Sequence, residues 1–156
     1  MNLLRFCVPL LLLASCSVPE GVVFDETRAV RNRSWHWNDS LSFTANMEDP
    51  AYEYRLILTM RVTGAYRYAN MYILLHTQGP DGSGVKQYPL LLADNTGRWL
   101  GKGVGDLISF ELPLENRFRI LKKGSYRFSI RQNMRDENLL HVSDVGLRIE
   151  KGEKPY

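Results

Sequence analysis

Four glycines, a lysine and a tryptophan fall within eleven residues in GRWLGKGVGDL, Gly97 to Leu107, and these are the residue types of a phosphate cradle. A P-loop needs four residues between its first glycine and a Gly-Lys pair, with Ser or Thr next to hold magnesium. Here three residues separate Gly97 from Gly101, and Gly103 follows Lys102. A dinucleotide fingerprint needs a third glycine farther along and a helix opening behind it, whereas DLISFEL, which comes next, reads as a strand. The stretch is therefore expected to serve backbone geometry, and no nucleotide partner is expected. DNTG (Asp94 to Gly97) turns the chain, Trp99 folds onto apolar surface, and the glycines permit bulges or close strand approach.

Other chemistry-bearing residues are sparse. His36, His76 and His141 lie far apart with no second ligand at metal spacing, so neither a zinc site nor any other metal is expected. DNTG lacks the further oxygen ligands and distal glutamate of a calcium loop. Without a Gly-x-Ser-x-Gly elbow no nucleophile stands out, so catalytic residues and cofactors are expected to be none. Trp35 and Trp37, two apart in RSWHWND, could join Trp99 as an aromatic platform for sugar rings; the reading placed first is core or edge cover, because large aromatics dominate burial. Arg55, Arg61, Arg127, Arg131 and with them Arg148 fall on outward strand positions, as a solvated face paired with acids or as a docking surface for an anionic partner.

The elements that must position these residues are strands. EYRLILTMRV (Glu53 to Val62) sets Tyr54, Leu56, Leu58, Met60 and Val62 on one face and Arg55, Ile57, Thr59 and Arg61 on the other. GSYRFSIRQ repeats the alternation, with Tyr126, Phe128 and Ile130 inward. Similar runs occur at Leu41–Ala45, Met71–Thr77, Tyr88–Ala93, Leu107–Leu114 and Val145–Glu150, divided by turn clusters at Gln78–Gly84, Asp94–Gly97 and Lys122–Gly124. Seven or eight short strands predict an all-β, antiparallel two-sheet β-sandwich of jelly-roll or Ig-like type. MRDENLLHVSD (Met134 to Asp144) predicts one short helix near the C-terminus.

The first residues are read separately. Arg5 precedes an apolar run from Phe6 to Ala14, which arrives at Leu13-Ala14-Ser15-Cys16. That pattern is a secretory signal peptide, and its ending resembles the bacterial lipobox, in which Cys16 becomes the acylated first residue of the mature chain. The expected division is a signal peptide at 1–15, a lipidated N-terminus and tether at 16–22, and a single β-sandwich domain at 23–156. Cys7, the only other cysteine, lies in the discarded part, so no disulfide is expected and stability must come from packing. Loss of Arg5 lowers the basic count from 20 to 19 against 17 acidic residues, a net of +2. So weak a field does not suggest nucleic acid.

Several segments together carry a family resemblance: the lipobox, YRYANMYILL (Tyr66 to Leu75), LADNTGRWLGKGVGDL (Leu92 to Leu107), GSYRFSIRQNMR (Gly124 to Arg135) and DVGLRIEK (Asp144 to Lys151). They look like the GldH family, the gliding-motility-associated lipoproteins of the Bacteroidota. What the resemblance implies is a palmitate-bearing outer-membrane lipoprotein of the gliding machinery, which is linked to type IX secretion. It transfers Cys16 as the lipidation site and no catalytic residue. CSVPEG holds one acid, Glu20, where surface-exported lipoproteins of these bacteria often carry an acidic signal, so the periplasm-facing leaflet is expected. The function this implies is a non-catalytic assembly component that contacts the membrane through its anchor and binds protein partners in the cell envelope. A carbohydrate- or cell-wall-binding module is the alternative, and a hydrolase stands third.

Overall fold

The computed structural model describes residues 21–155; the expected signal peptide, Cys16 and most of the expected tether lie outside the described residues. Eleven strands run in order: β1 (Val22–Ala29), β2 (Ser34–His36), β3 (Leu41–Met47), β4 (Glu53–Thr63), β5 (Asn70–Gly79), β6 (Gly82–Leu91), β7 (Lys102–Val104), β8 (Leu107–Arg119), β9 (Gly124–Gln132), β10 (Asn138–Leu140) and β11 (Val142–Lys151). They form a five-stranded sheet in the order β1-β11-β4-β8-β7, a four-stranded sheet in the order β3-β9-β5-β6, and a small β10-β2 pair. Every pairing is antiparallel, so the all-β, antiparallel expectation holds.

One apolar core joins the two large sheets. Leu56, Leu58, Met60 and Val62 of β4 are buried with Val145, Leu147 and Ile149 of β11, and Phe43, Ile73, Phe128 and Ile130 of the second sheet complete the same cluster. Phe118 and Phe128 meet edge to face across it with ring centroids 5.8 Å apart, and Phe24 meets Phe43 at 6.4 Å. Such pairs add about 0.5–1.5 kcal/mol beyond their burial. Alternation requires this arrangement: on a pleated strand the residues that fill the core leave their neighbours facing outward.

The helix expected at Met134–Asp144 is replaced by strand and turn. Leu139 lies opposite Trp35 in the β2–β10 pair and is buried with it. His141 then takes a left-handed backbone, φ 71, pinned where its N–H donates to Arg33 O at 2.7 Å and its carbonyl accepts Thr63 N at 2.9 Å. Pairing of a buried leucine overrides the helical propensity of Met, Arg, Glu and Leu, as tertiary context commonly does. The only helical turn among the described residues is a 3-10 turn at Arg31–Arg33. The turn cluster at Gln78–Gly84 is also narrower than expected, since β5 and β6 continue their ladder to Gly79 and Gly82.

Candidate interaction surface

The two outer faces of the large sheets differ in charge. On the five-stranded sheet, Arg61 Nε lies 2.9 Å from both carboxylate oxygens of Asp144, its register partner on β11. Arg55 Nη1 donates to Glu150 at 3.1 Å, and Arg148 reaches Asp25 at 3.0 Å and Glu111 at 3.3 Å. Arg117 and Arg119 both donate to Glu53 at 2.8 Å. These hydrogen bonds hold the Glu53 carboxyl below the usual carboxylate range, with the bond from Arg117 the largest cause. The hydrogen bond to Asp144 raises the Arg61 guanidinium above its ordinary value. This face neutralises itself through cross-strand ion pairs.

The four-stranded sheet does not. Its strands read LSFTANM, GSYRFSIRQ, NMYILLHTQG and GSGVKQYPLL, without one Asp or Glu. Arg127 stands between Thr44 and Gln78, and Arg131 stands beside Leu74. Both arginines are exposed, and neither has a carboxylate within 4.0 Å among the described residues. Around them lie hydroxyls and amides, including Ser42 and Ser129 with hydroxyls 2.8 Å apart, and exposed Tyr72 and His76. A hollow of about 350 Å³ opens beside Arg127 against Thr44, Gln78 and Ser125. At the opposite end of the sheet, Tyr72, Met134 and Arg135 help to line a larger one of about 550 Å³.

The four arginines expected as one surface are thus divided between two. Arg55 and Arg61 belong to the ion-paired sheet, and Arg127 and Arg131 to the other. Alternation shows which side of its own strand a residue takes, whereas strand order in space decides which residues share a face. What separates them is strand pairing: β11, beside β4, carries Asp144 and Glu150 at outward positions, and the strands around Arg127 and Arg131 carry no acid.

Nor do the tryptophans gather into one open face. Trp35 is buried, 1% exposed, and its indole N–H donates to Asp39 O at 2.9 Å. β2 ends at His36, so Trp37 leaves the strand and stands 46% exposed. Trp99 bridges Ala93 and packs against Tyr66 and Phe110, with centroids at 6.5 and 6.3 Å. The histidines stand apart as well: His36 is 3.2 Å from Glu137, His141 is 3.2 Å from Thr63 Oγ1, and His76 lies on the outer face of β5.

The glycine segment closes over the edge of the five-stranded sheet. Asp94 Oδ1 accepts from Thr96 N at 2.9 Å, Thr96 Oγ1 at 2.6 Å and Arg98 N at 3.0 Å, which fixes the DNTG turn. A Cβ on Gly101 would lie 2.5 Å from the carbonyl oxygen of Ser109, Gly105 has φ +62, and the space around Gly103 is open. Alanine is therefore expected to cost about 1–3 kcal/mol at Gly101 through overpacking and about 1–2 kcal/mol at Gly105 through left-handed strain. Gly103→Ala and Lys102→Ala should stay within about 0.5 kcal/mol. Urea midpoints of the four variants check the ranking. Saturable ATP binding that disappears in Lys102→Ala would overturn the backbone reading.

Comparison with known proteins adds a relationship along most of the chain. The sequence profile described as GldH lipoprotein matches residues 22–149. The chain is 28% identical to the gliding motility lipoprotein GldH homolog of Christiangramia forsetii, over 95% of this chain and 94% of that protein. It is also 28% identical to the gliding motility lipoprotein GldH of Flavobacterium johnsoniae, over 90% of this chain and 91% of that one.

Proposed function

The chain belongs to the GldH lipoprotein family, and from that premise we propose that it is a non-catalytic assembly component of a gliding-motility envelope machinery, coupled to type IX secretion. Acyl chains on Cys16 hold it in the outer membrane on the periplasmic side, and its four-stranded sheet docks an acidic protein partner. The observation that carries the docking face is the pair Arg127 and Arg131, exposed on a sheet without a single carboxylate in its strands. An arginine fork presents several donors to a carboxylate in fixed geometry. On the ion-paired face those donors are already engaged; on this face they remain available to a partner.

The experiment is a pull-down from solubilised envelopes with Arg127→Glu/Arg131→Glu, beside Arg55→Glu/Arg61→Glu. Reversal on the four-stranded sheet should leave the circular dichroism spectrum intact, because exposed substitutions change stability by about 0.5 kcal/mol or less. It should lower partner recovery by at least tenfold, equivalent to about 1.4 kcal/mol, since like charges across an interface are strongly disfavoured. Reversal of Arg55 and Arg61 should instead weaken the fold, because a second carboxylate, in place of the Arg61 guanidinium, would face the buried Asp144 carboxylate. Full recovery of every partner by folded Arg127→Glu/Arg131→Glu would reject this docking face.

A further inference from the structure

The strand registers collect a defined set of loops at the end of the molecule where the chain enters. Gly21 O accepts Lys151 N at 2.7 Å, Lys151 pairs with Tyr54, and Glu53 pairs with Arg119. Two residues beyond Arg119 stands Leu121, 80% exposed. In sheet order β8 is three strands from β1, which puts its end about 14 Å from Gly21 at the ordinary spacing. Cys16 precedes Gly21 by five residues, a reach of at most about 18 Å for an extended chain. A lipid on Cys16 therefore keeps this end of the sandwich close to the bilayer.

The backbone at Leu121 is pinned. Its N–H donates to Asp81 Oδ2 at 2.7 Å, and the next carbonyl, of Lys122, accepts Tyr126 OH at 2.7 Å. The Tyr126 oxygen is also 2.5 Å from Asp81 Oδ2, so its one hydroxyl proton is shared between the two acceptors, and its hydrogen bond holds the Asp81 carboxyl below the usual range. Ile120 just before is buried. The loop is thus tied to the β5–β6 turn with one leucine turned outward, followed by exposed Lys122 and Lys123. Among the described residues neither lysine has an ion-pair partner. An apolar side chain beside two cations on long stems suits a phospholipid surface, where the leucine enters the acyl boundary and the ammonium groups stay at the phosphates.

We infer that the loop from Ile120 to Gly124 is a second membrane contact, in which Leu121 enters the bilayer interface and Lys122 and Lys123 meet lipid phosphates; this rests on the reading of Cys16 as the anchored residue. The test uses the mature lipoprotein in vesicles of three parts phosphatidylethanolamine to one part phosphatidylglycerol, with a nitroxide on Leu121→Cys. Since Cys16 is acylated, the introduced thiol is the one that labels. The control is Val104→Cys, 77% exposed at the far end of the sandwich, about 40 Å along β8.

The label at 121 should collide severalfold more with oxygen, and severalfold less with a water-soluble nickel chelate, than the label at 104. Adding Lys122→Glu/Lys123→Glu should reduce that contrast. Equal nickel access at the two positions, with the acyl group present on the N-terminal peptide by mass, would overturn this contact and leave the anchor standing. Shielding from both relaxers would also overturn it, as a protein contact. An N-terminal peptide without acyl groups would remove the anchor, and this inference with it.

Discussion

Cys16→Ala is expected to abolish incorporation of radioactive palmitate and leave the precursor uncleaved by the lipoprotein signal peptidase. The effect should be complete rather than graded. A buried methylene contributes about 0.8 kcal/mol, so one acyl chain binds a bilayer only marginally while several on one residue hold it stably. Among the described residues no helix is long and apolar enough to cross a membrane, and a pinned loop with one exposed leucine cannot replace an anchor. Cys7→Ser supplies the control, because Cys7 is the only other thiol and sits upstream of the expected cleavage point; it should label normally. Palmitate uptake by Cys16→Ala would show that another residue carries the lipid.

The proposed anchor would also set the geometry of the proposed docking face. If Cys16 is anchored as proposed, the Gly21 end would face the bilayer, and the register of β9 against β3 would put Arg127 nearer the lipid than Arg131. At about 0.15 M salt the screening length is about 8 Å, so the pair attracts a partner only at close range. Partner recovery should accordingly depend on salt in the parent protein more steeply than in the double reversal.

Much of this was legible in local pattern. The alternation of EYRLILTMRV and GSYRFSIRQ identified the inward residues, because a strand with one wet face must alternate. Tyr54, Leu56, Leu58, Met60 and Val62 are buried on that schedule, as are Tyr126, Phe128 and Ile130, although Ile57 on the outer face of β4 is buried too. What was not legible depends on pairing between distant segments. Arg61 meets Asp144 across 83 positions, so nothing near Arg61 marks it as neutralised and nothing near Arg131 marks it as free. The expected helix failed for the same reason, since Leu139 answers to Trp35 rather than to its own neighbours. Strand alternation does not extend past Arg119, where β8 ends, so it could not say that Ile120 turns in while Leu121 turns out. The turn pinned by Asp81 decides that.

Trp35 against Trp37 gives the sharpest energetic contrast in the molecule. Trp35→Ala should destabilise the fold by about 3–5 kcal/mol, the usual cost of emptying a buried tryptophan site, out of a total that for such domains is about 5–15 kcal/mol. Part of the loss is the cavity beside Leu139 in the β2–β10 pair, and part is the carbonyl of Asp39 left without the indole donor. The small sheet has three residues per strand and few other apolar contacts to hold it, so β10 should detach and release the turn at His141. Trp37→Ala, at a ring 46% exposed and in edge contact with His36, should change stability by about 0.5 kcal/mol or less. Chemical unfolding of the two variants decides the matter. A stable Trp35→Ala protein that had lost affinity for a cell-wall glycan would return the indoles to a binding role, whereas unfolding by several kcal/mol places Trp35 in the machinery of the fold.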